Sequence, residues 1–265
     1  MKKTIISCVL FLTAVTAFSQ TPMKTAAEAK LSASDLAVKI ADRILATTTY
    51  EFKNTKTGKT YKSVKNLPLD MNVKVACKYN NWHYTNGVTH IALMELADKT
   101  GAKKYDDYVL KNMNFVFYEG NLDFFKKQYE RAMKNEGWYG VRKLSWHMIF
   151  RGKRLDDNGP MGASLIDLQM KHPNNSFLNY INETAEHLNY GEPRLADGTI
   201  ARIWPHENTI WADDAFMAIS FLARMAKMTG DMSYINDAAN QVIKYHKYLW
   251  CPEKRILYHC YHTDT

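Results

Sequence analysis

Apolar residues recur every three or four positions along most of this 265-residue chain, which is the spacing of one face of an α-helix. In the first such segment Leu36, Ile40 and Ile44 recur at every fourth position, directly after a Ser-Asp helix-start signal. Comparable patterns predict seven more helices, at about residues 87–99, 104–118, 121–135, 160–170, 176–189, 213–229 and 232–249. Only residues 255–261 have the character of a strand, so the sequence predicts an all-α protein.

The predicted helices are arranged as repeated hairpins. Three of them end at a glycine or proline, and the next helix opens with an aromatic residue, Tyr105, Phe177 or Tyr234. These aromatic residues are 72 and then 57 positions apart, whereas solenoid repeats have periods of about 20–50 residues. The longer spacing favours a closed toroid of inner and outer helices, an (α/α)6 architecture, over an open solenoid.

Equivalent positions in these hairpins carry polar residues. Counting back 21 residues from each aromatic residue gives Tyr84, Asp156 and Asp213, each at the start of a predicted inner helix. Equivalent ends of neighbouring inner helices face one cleft in a toroid, so we expect these side chains to share a site. The acids are doubled, as Asp156-Asp157 and Asp213-Asp214. One carboxylate can cap a helix, but two close together raise one pKa.

Aromatic and histidine side chains accompany the acids. Trp211 lies two residues before Asp213, where its indole can stack on a sugar ring, and His83 precedes Tyr84. Each feature alone has a structural explanation, as a helix cap, a core aromatic residue or a satisfied histidine. Their recurrence at one end of the hairpins instead indicates a sugar-cleaving site, with His206 in a nearby polar loop as a further candidate.

The amino terminus predicts export. Lys2 and Lys3 precede an apolar run over residues 5–18, which is typical of a secretory signal peptide spanning residues 1–19. We therefore expect a periplasmic or secreted protein, with an extension over residues 20–34 and a single catalytic domain over 35–265. No later segment reaches 18 consecutive apolar residues, so no membrane span is expected.

Charge and cysteine content exclude some classes of protein. The formal net charge is +8, or +6 without the two leader lysines, and the cations are scattered in a way that argues against nucleic-acid binding. A positive balance suits an anionic substrate such as a uronic acid. Three cysteines remain after the leader, Cys77, Cys251 and Cys260, and their spacing offers no zinc site. A Cys251–Cys260 bridge stays open.

Three strings resemble a known enzyme group: WHYTNG at 82–87, LDDNGPMG at 155–162 and WADDAFM at 211–217. They resemble glycoside hydrolase family 105, the unsaturated rhamnogalacturonyl hydrolases, and more distantly the family 88 unsaturated glucuronyl hydrolases. The resemblance extends from about residue 35 to the end of the chain. It implies an (α/α)6 toroid that removes a Δ4,5-unsaturated uronic acid from the non-reducing end of pectin-derived, rhamnogalacturonan-type oligosaccharides.

The resemblance also implies roles for individual residues. An aspartic acid of the family protonates C4 of the enol ether and, as a base, activates the water that adds at C5; here Asp213 takes that role. The family's second acid precedes a glycine by five residues, which favours Asp157, whereas the equal spacing of the hairpins favours Asp156. Trp211 would stack on the sugar and Tyr84 would line the site. The resemblance implies no metal and no cofactor.

The chain also departs from the family pattern. Arg202 stands where rhamnogalacturonyl hydrolases commonly carry a histidine, and His206 is a candidate substitute. Asp214 and His83 complete the expected substrate-binding set. About eight of twelve helices are predicted, so we expect a toroid without its C-terminal third, ending at Thr265. The alternative function is a non-catalytic helical-hairpin module that binds glycans or proteins.

Overall fold

The computed structural model describes residues 32–117, 120–152 and 154–263. The predicted signal peptide over 1–19 and most of the predicted extension over 20–34 lie outside the described residues. The chain divides into two compact units, residues 1–43 and residues 44–265, so the division lies within the first predicted helix. The account below concerns the second unit.

Helices dominate the described residues, which confirms the all-α prediction. Their bounds are Ala33–Thr47 (α1), Tyr84–Thr100 (α2), Lys104–Phe117 (α3), Asn121–Val141 (α4), Met148–Arg151 (α5), Leu155–Lys171 (α6), Asn175–Glu186 (α7), Ala212–Thr229 (α8) and Met232–Leu249 (α9). A single π-helical turn, His187–Gly191, follows α7. The eight predicted helices are all present, whereas α5 and the π-helical turn were not predicted.

The inner helices begin where the equal-spacing argument placed them. Helices α2, α6 and α8 begin at Tyr84, Leu155 and Ala212, each within one residue of the predicted equivalent position. The helical pattern alone started α6 at residue 160, which is wrong. Pro160 lies inside the helix, where it removes one helical hydrogen bond without ending the helix.

The described residues also contain seven short strands, which lie between helices or after the last helix. Their bounds are Phe52–Asn54 (β1), Thr60–Tyr61 (β2), Val73–Val75 (β3), Thr209–Trp211 (β4), Trp250–Cys251 (β5), Ile256–Leu257 (β6) and Cys260–His262 (β7). β1 pairs antiparallel with β2 and β3, β4 with β7, and β5 with β6. The extended character of 255–261 is confirmed by β6 and β7. The expectation of no other strand is wrong, because strands of two or three residues are too short to show a period of two.

Three helical hairpins form the body of this unit. Helices α2, α6 and α8 pack side by side, and α3, α7 and α9 pack on them from outside. Gly101 and Gly230 end the first and third inner helices in the left-handed conformation, at φ 70° and 76°. Tyr105 and Phe177 are buried, while Tyr234 is half-buried. The hairpins therefore form an arc of an α/α toroid.

Two glycines allow the inner helices to approach closely. A Cβ atom at Gly87 in α2 would lie 2.3 Å from the carbonyl carbon of Pro160 in α6. A Cβ atom at Gly159 in α6 would lie 2.6 Å from the carbonyl oxygen of Met217 in α8. Only glycine leaves room for backbone against backbone at these points. The amino-terminal ends of the three inner helices are thereby held together.

A buried tryptophan fixes the start of α6. Trp82 is fully buried, and its indole N–H donates to the Asp157 carbonyl oxygen at 2.7 Å. Its ring also packs edge-on against Tyr180, with the centroids 4.7 Å apart. Trp82 therefore belongs to the core and ties the loop before α2 to the first turn of α6.

Neither disulfide bonds between the three cysteines nor membrane-spanning helices are found in the described part of the chain. Cys77, Cys251 and Cys260 are free thiols, so the Cys251–Cys260 bridge that the sequence left open is not formed. Over the described ranges, every helix is too short or too polar to cross a membrane.

Candidate active site

Three carboxylates meet at the amino-terminal ends of two inner helices. Asp156 lies in the first turn of α6, and Asp213 and Asp214 lie in the first turn of α8. One carboxylate oxygen from each of the three residues lies within 4.8 Å of the other two, although 57 residues separate Asp156 from Asp213. The structure thus brings together the acids that the hairpin spacing predicted to converge. The positive ends of both helix dipoles stabilise these negative charges.

Arg202 lies among the three carboxylates. Its Nε and Nη2 atoms donate to the two oxygens of Asp214 at 2.6 and 2.7 Å. The same guanidinium is 3.5 Å from Asp213 and 3.8 Å from Asp156. Carboxylate oxygens in such a cluster could hold a metal ion, but here the guanidinium supplies the positive charge at the centre of the cluster. Arg202 is therefore the residue that organises the three acids.

Burial separates the two acids of α8 in their properties. The Asp214 side chain is 2% exposed, whereas that of Asp213 is 44% exposed. Burial raises the pKa of Asp214 to about 6, and the charges of Asp213 and Asp156 act in the same direction against the lowering effect of Arg202. Burial disfavours the charged form of Arg202, but its bonds to Asp214 hold the guanidinium pKa above its usual range. The cluster can therefore carry a proton in weakly acidic solution.

Asp157 does not join the cluster. Its side chain is 0% exposed and forms a two-bond ion pair with Arg151, whose Nε donates to Oδ2 at 2.6 Å and whose Nη2 donates to Oδ1. Consecutive residues of an α-helix point about 100° apart, so only one of Asp156 and Asp157 can face Asp213. The resemblance favoured Asp157 as the second acid, whereas the structure brings Asp156, and not Asp157, to Asp213.

Trp211 lies at the edge of the acid cluster. The Arg202 guanidinium lies 4.3 Å from its ring centroid, and its indole N–H donates to the Thr209 hydroxyl at 3.1 Å. The His259 ring contacts it edge-on at 5.0 Å, because β4 pairs with β7 and the Ala212 N–H donates to the His259 carbonyl. His259 was missed from the sequence, since such short strands carry no pairing signal.

Three other expected site residues, His83, Tyr84 and His206, are not part of the acid cluster. The His83 ring nitrogen accepts from the Thr85 N–H and caps α2, and its ring packs on Tyr84 at 4.4 Å. Burial lowers the pKa of His83, although the charges of Asp156 and Asp157 oppose this. His206 is exposed and packs against His262 instead of the acids. The hypothesis that His206 replaces the family histidine is therefore not supported by its position.

A cavity of about 520 Å³ adjoins the acid cluster, a size typical of ligand sites. Asp156, Asp214 and Arg202 form one side of it. The remaining walls come mainly from α5, the start of α6, the π-helical turn and the loop after it, and they include Arg151, Arg154, His187, Glu192 and Trp204. The site thus combines an acidic cluster with guanidinium groups and an exposed indole.

Sequence comparison assigns the chain to a family. Residues 56–265 match the sequence model of Glycosyl Hydrolase Family 88. The chain belongs to this family. The match confirms the resemblance inferred from the three strings around Tyr84, Asp157 and Asp213. No curated protein matches the chain significantly.

Solved structures share the fold of this family 88 chain. They include a possible GH105 family member from Salmonella enterica, with a TM-score of 0.56, 15% identity and coverage of 88% of this chain and 53% of that one. A possible GH105 family member from Klebsiella pneumoniae has a TM-score of 0.55 and 13% identity, with coverage of 89% of this chain and 53% of that one. A family 105 glycoside hydrolase from C. acetobutylicum has a TM-score of 0.55 and 20% identity, with coverage of 88% of this chain and 50% of that one. The chain spans about half the length of these structures.

The walls of the cavity in this family 88 chain were largely missed from the sequence. His187 and Glu192 pair at 2.8 Å across the π-helical turn, an element that is frequent at functional sites. Arg151 and Arg154 lie in the basic segment before α6, and Trp204 lies in a loop of irregular structure. Nothing in their spacing along the chain shows that they face one cavity.

Proposed function

We propose that this chain is a glycoside hydrolase that removes a Δ4,5-unsaturated uronic acid from the non-reducing end of oligosaccharides. The observation that supports this most strongly is the meeting of Asp156, Asp213 and Asp214 around Arg202 beside Trp211. Membership of family 88 supports the same class of chemistry. The overall positive charge suits a uronate substrate, and pectin-derived, rhamnogalacturonan-type oligosaccharides are the proposed source.

Asp213 is the proposed acid and base. It combines an exposed carboxyl group with a place in the cluster, so it can reach a bound sugar. Its proton passes to C4 of the enol ether, and the positive charge that develops is shared by C5 and the ring oxygen. The carboxylate then takes a proton from water as the water oxygen bonds to C5. The resulting hemiketal opens, and the bond from C1 to the leaving sugar breaks, for a net addition of one water.

The neighbouring residues adjust the charge around Asp213. Arg202 neutralises part of the negative charge and holds Asp214 in place. Because the pKa of Asp214 is raised to about 6 by burial, the cluster can exchange a proton near that pH. Asp156 is the second acid within reach, and Trp211 offers an indole edge and face for the sugar ring. We therefore expect the highest activity in weakly acidic to neutral solution.

An absorbance assay tests the proposed function. Mixing the protein with lyase-digested pectin should remove the ultraviolet absorbance of the conjugated uronate. Asp213→Asn should lower turnover by a factor of about 10² or more with an unchanged circular dichroism spectrum. The matched control is Asp123→Asn, an exposed acid paired with Lys127 on α4, which should keep full activity. Unchanged absorbance together with measurable oligosaccharide binding would instead favour the non-catalytic module.

A second pair of variants separates the two neighbouring acids of α6. Asp156→Asn should lower turnover and leave the free energy of unfolding nearly unchanged, because Asp156 is half-buried in the cluster. Asp157→Asn should destabilise the fold by about 3–5 kcal/mol, because it leaves the Arg151 guanidinium without its buried partner. Full turnover in Asp156→Asn would contradict its place in the reaction.

A further inference from the structure

The guanidinium groups that line the cavity differ in their partners. Arg151 pairs with Asp157, and Arg202 pairs with Asp214. Arg154 also lines the cavity, but within the described ranges it has no ion pair or side-chain hydrogen bond. Its guanidinium instead lies 4.5 Å from the ring centroid of Trp204. Arg154 therefore keeps all five N–H donors available for a ligand.

The backbone of Arg154 is held firmly while its side chain remains free to bind. Arg154 immediately precedes α6, and its carbonyl oxygen accepts from the N–H groups of Asp157 and Asn158 at 2.8 and 3.2 Å. Stacking on Trp204 restricts the guanidinium plane, so less freedom is lost when it binds a ligand. Trp204 is still 59% exposed, which leaves indole surface open to a sugar.

The charges around the cavity explain why an unpaired cation matters. Among the described residues, Arg202 is the one cation that forms ion pairs with Asp156, Asp213 and Asp214, so the cluster carries excess negative charge when all three acids are ionised and repels an anionic sugar. Burial and the charges of Arg151 and Arg202 lower the pKa of Arg154, while the charges of Asp157 and Asp156 act in the opposite direction. A ligand carboxylate would supply the missing partner through two parallel hydrogen bonds.

We propose that Arg154, stacked on Trp204, binds the carboxylate of a uronic acid sugar in the cavity and makes the chain selective for acidic oligosaccharides. This inference rests on the proposed function only for the identity of the sugar. The carboxylate belongs either to the terminal unsaturated uronate or to an acidic sugar joined to it. Both present the same chemistry to the guanidinium.

Binding measurements on a turnover-deficient background test this proposal. In Asp213→Asn protein, adding Arg154→Gln should weaken the binding of unsaturated digalacturonate by about tenfold or more, because a charged hydrogen-bonded pair is lost. Adding Arg154→Lys should restore part of the affinity, since lysine keeps the charge but lacks the planar pair of donors. The fully methyl-esterified disaccharide should bind the Gln variant and its parent equally, which also shows that the cavity is intact.

A matched control removes the same charge elsewhere. Arg142 is exposed at the end of α4 and does not line the cavity, so adding Arg142→Gln should leave the affinity for both disaccharides unchanged. Equal affinity of the Arg154→Gln protein and its parent for the acid would overturn the proposal. An equal loss of affinity for the acid and for its ester would overturn it as well.

Two further comparisons locate the carboxylate and separate this inference from the proposed function. Unsaturated galacturonyl-rhamnose has only the terminal carboxylate, so an affinity loss equal to that of the digalacturonate assigns Arg154 to the terminal sugar. A loss confined to the digalacturonate assigns it to the adjacent sugar. Arg154-dependent binding without turnover by the unsubstituted chain would reject the hydrolase but keep the anion site. Turnover by the unsubstituted chain that is unchanged by Arg154→Gln would keep the hydrolase but reject the anion site at Arg154.

Discussion

At the scale of single residues, burial sets the charge states that matter most. Asp214 and His90 are both almost fully buried. Burial raises the pKa of Asp214 from 3.8 to about 6 and lowers the pKa of His90 from 6.5 to about 4. Asp214 has Arg202 and two acids as neighbours, whereas His90 lies in the core with its Nε2 atom 3.4 Å from the Asn112 amide nitrogen. Their shifts have opposite consequences for stability.

His90 should make the fold less stable in acid. The pKa of His90 in the folded chain lies below the ordinary value of 6.5, so between about pH 4 and 6.5 the imidazole is protonated in the unfolded chain but neutral in the folded chain. Its contribution is complete above pH 6.5 and is lost as the pH falls towards 4, by about 3 kcal/mol in total. His90→Gln should remove this slope in urea unfolding followed by circular dichroism between pH 4 and 7. An unchanged slope in the variant would contradict the prediction.

Asp214 should act in the opposite direction. Its folded pKa lies above the ordinary value of 3.8, so its contribution to stability is complete below pH 3.8 and is lost as the pH rises to about 6, again by about 3 kcal/mol. In the same unfolding series, Asp214→Asn should therefore gain stability with rising pH more steeply than the unsubstituted chain. Parallel pH profiles for the two proteins would argue against the raised pKa.

At the scale of elements, close helix contacts determine where the acids lie. Gly87 and Gly159 allow α2, α6 and α8 to touch through their backbones, and this contact places the first turns of α6 and α8 side by side. Helix propensity alone would favour alanine at both positions. Glycine at these positions thus serves the packing of the toroid and the convergence of Asp156 and Asp213.

Gly159→Ala should therefore lower both stability and activity. Propensity predicts a gain of about 1 kcal/mol, but the new methyl group meets the α8 backbone, so we expect a net loss of at least about 1 kcal/mol and a fall in turnover as α6 and α8 separate. Urea unfolding and the absorbance assay measure the two effects. Gly58→Ala is the control: its φ is +75° in the turn between β1 and β2, no atom lies within 4 Å, and turnover should stay intact. A stabilised, active Gly159→Ala protein would refute the packing argument.

At the scale of the whole molecule, the overall charge and the local charge have opposite signs. The chain has 35 lysines and arginines against 27 aspartates and glutamates, yet Asp156, Asp213 and Asp214 share a single guanidinium. The long-range positive field attracts an anionic substrate, and the acids act on it once it is bound. Arg154 is one of the positively charged residues that line the cavity beside these acids.

Salt should therefore weaken the capture of acidic substrates. Raising the ionic strength from about 0.01 M to about 0.5 M shortens the range of the positive field and should raise KM for an unsaturated uronate disaccharide several-fold, with little change in kcat. An ester of the same disaccharide should show a nearly constant KM. A salt dependence that is equal for the two compounds would count against electrostatic steering.

The sequence alone determined where the helices lie and which residues stand at the starts of the inner helices. Helix formation and termination depend on neighbours three or four positions away, so periodicity found the hairpins, and their spacing placed Tyr84, Asp156 and Asp213 at equivalent helix starts. The three strings around these residues were also sufficient to indicate the family.

Only the tertiary structure decided which groups meet. It brought Asp156, and not Asp157, to Asp213, placed Arg202 among the acids instead of His206, and brought His259 to Trp211 through strands too short to leave a pattern. It also gathered Arg154 and Trp204, which are 50 residues apart, at one cavity. The physical reason is that the direction of a side chain and the path of a loop are fixed by contacts between segments distant in the chain, and local sequence does not record them.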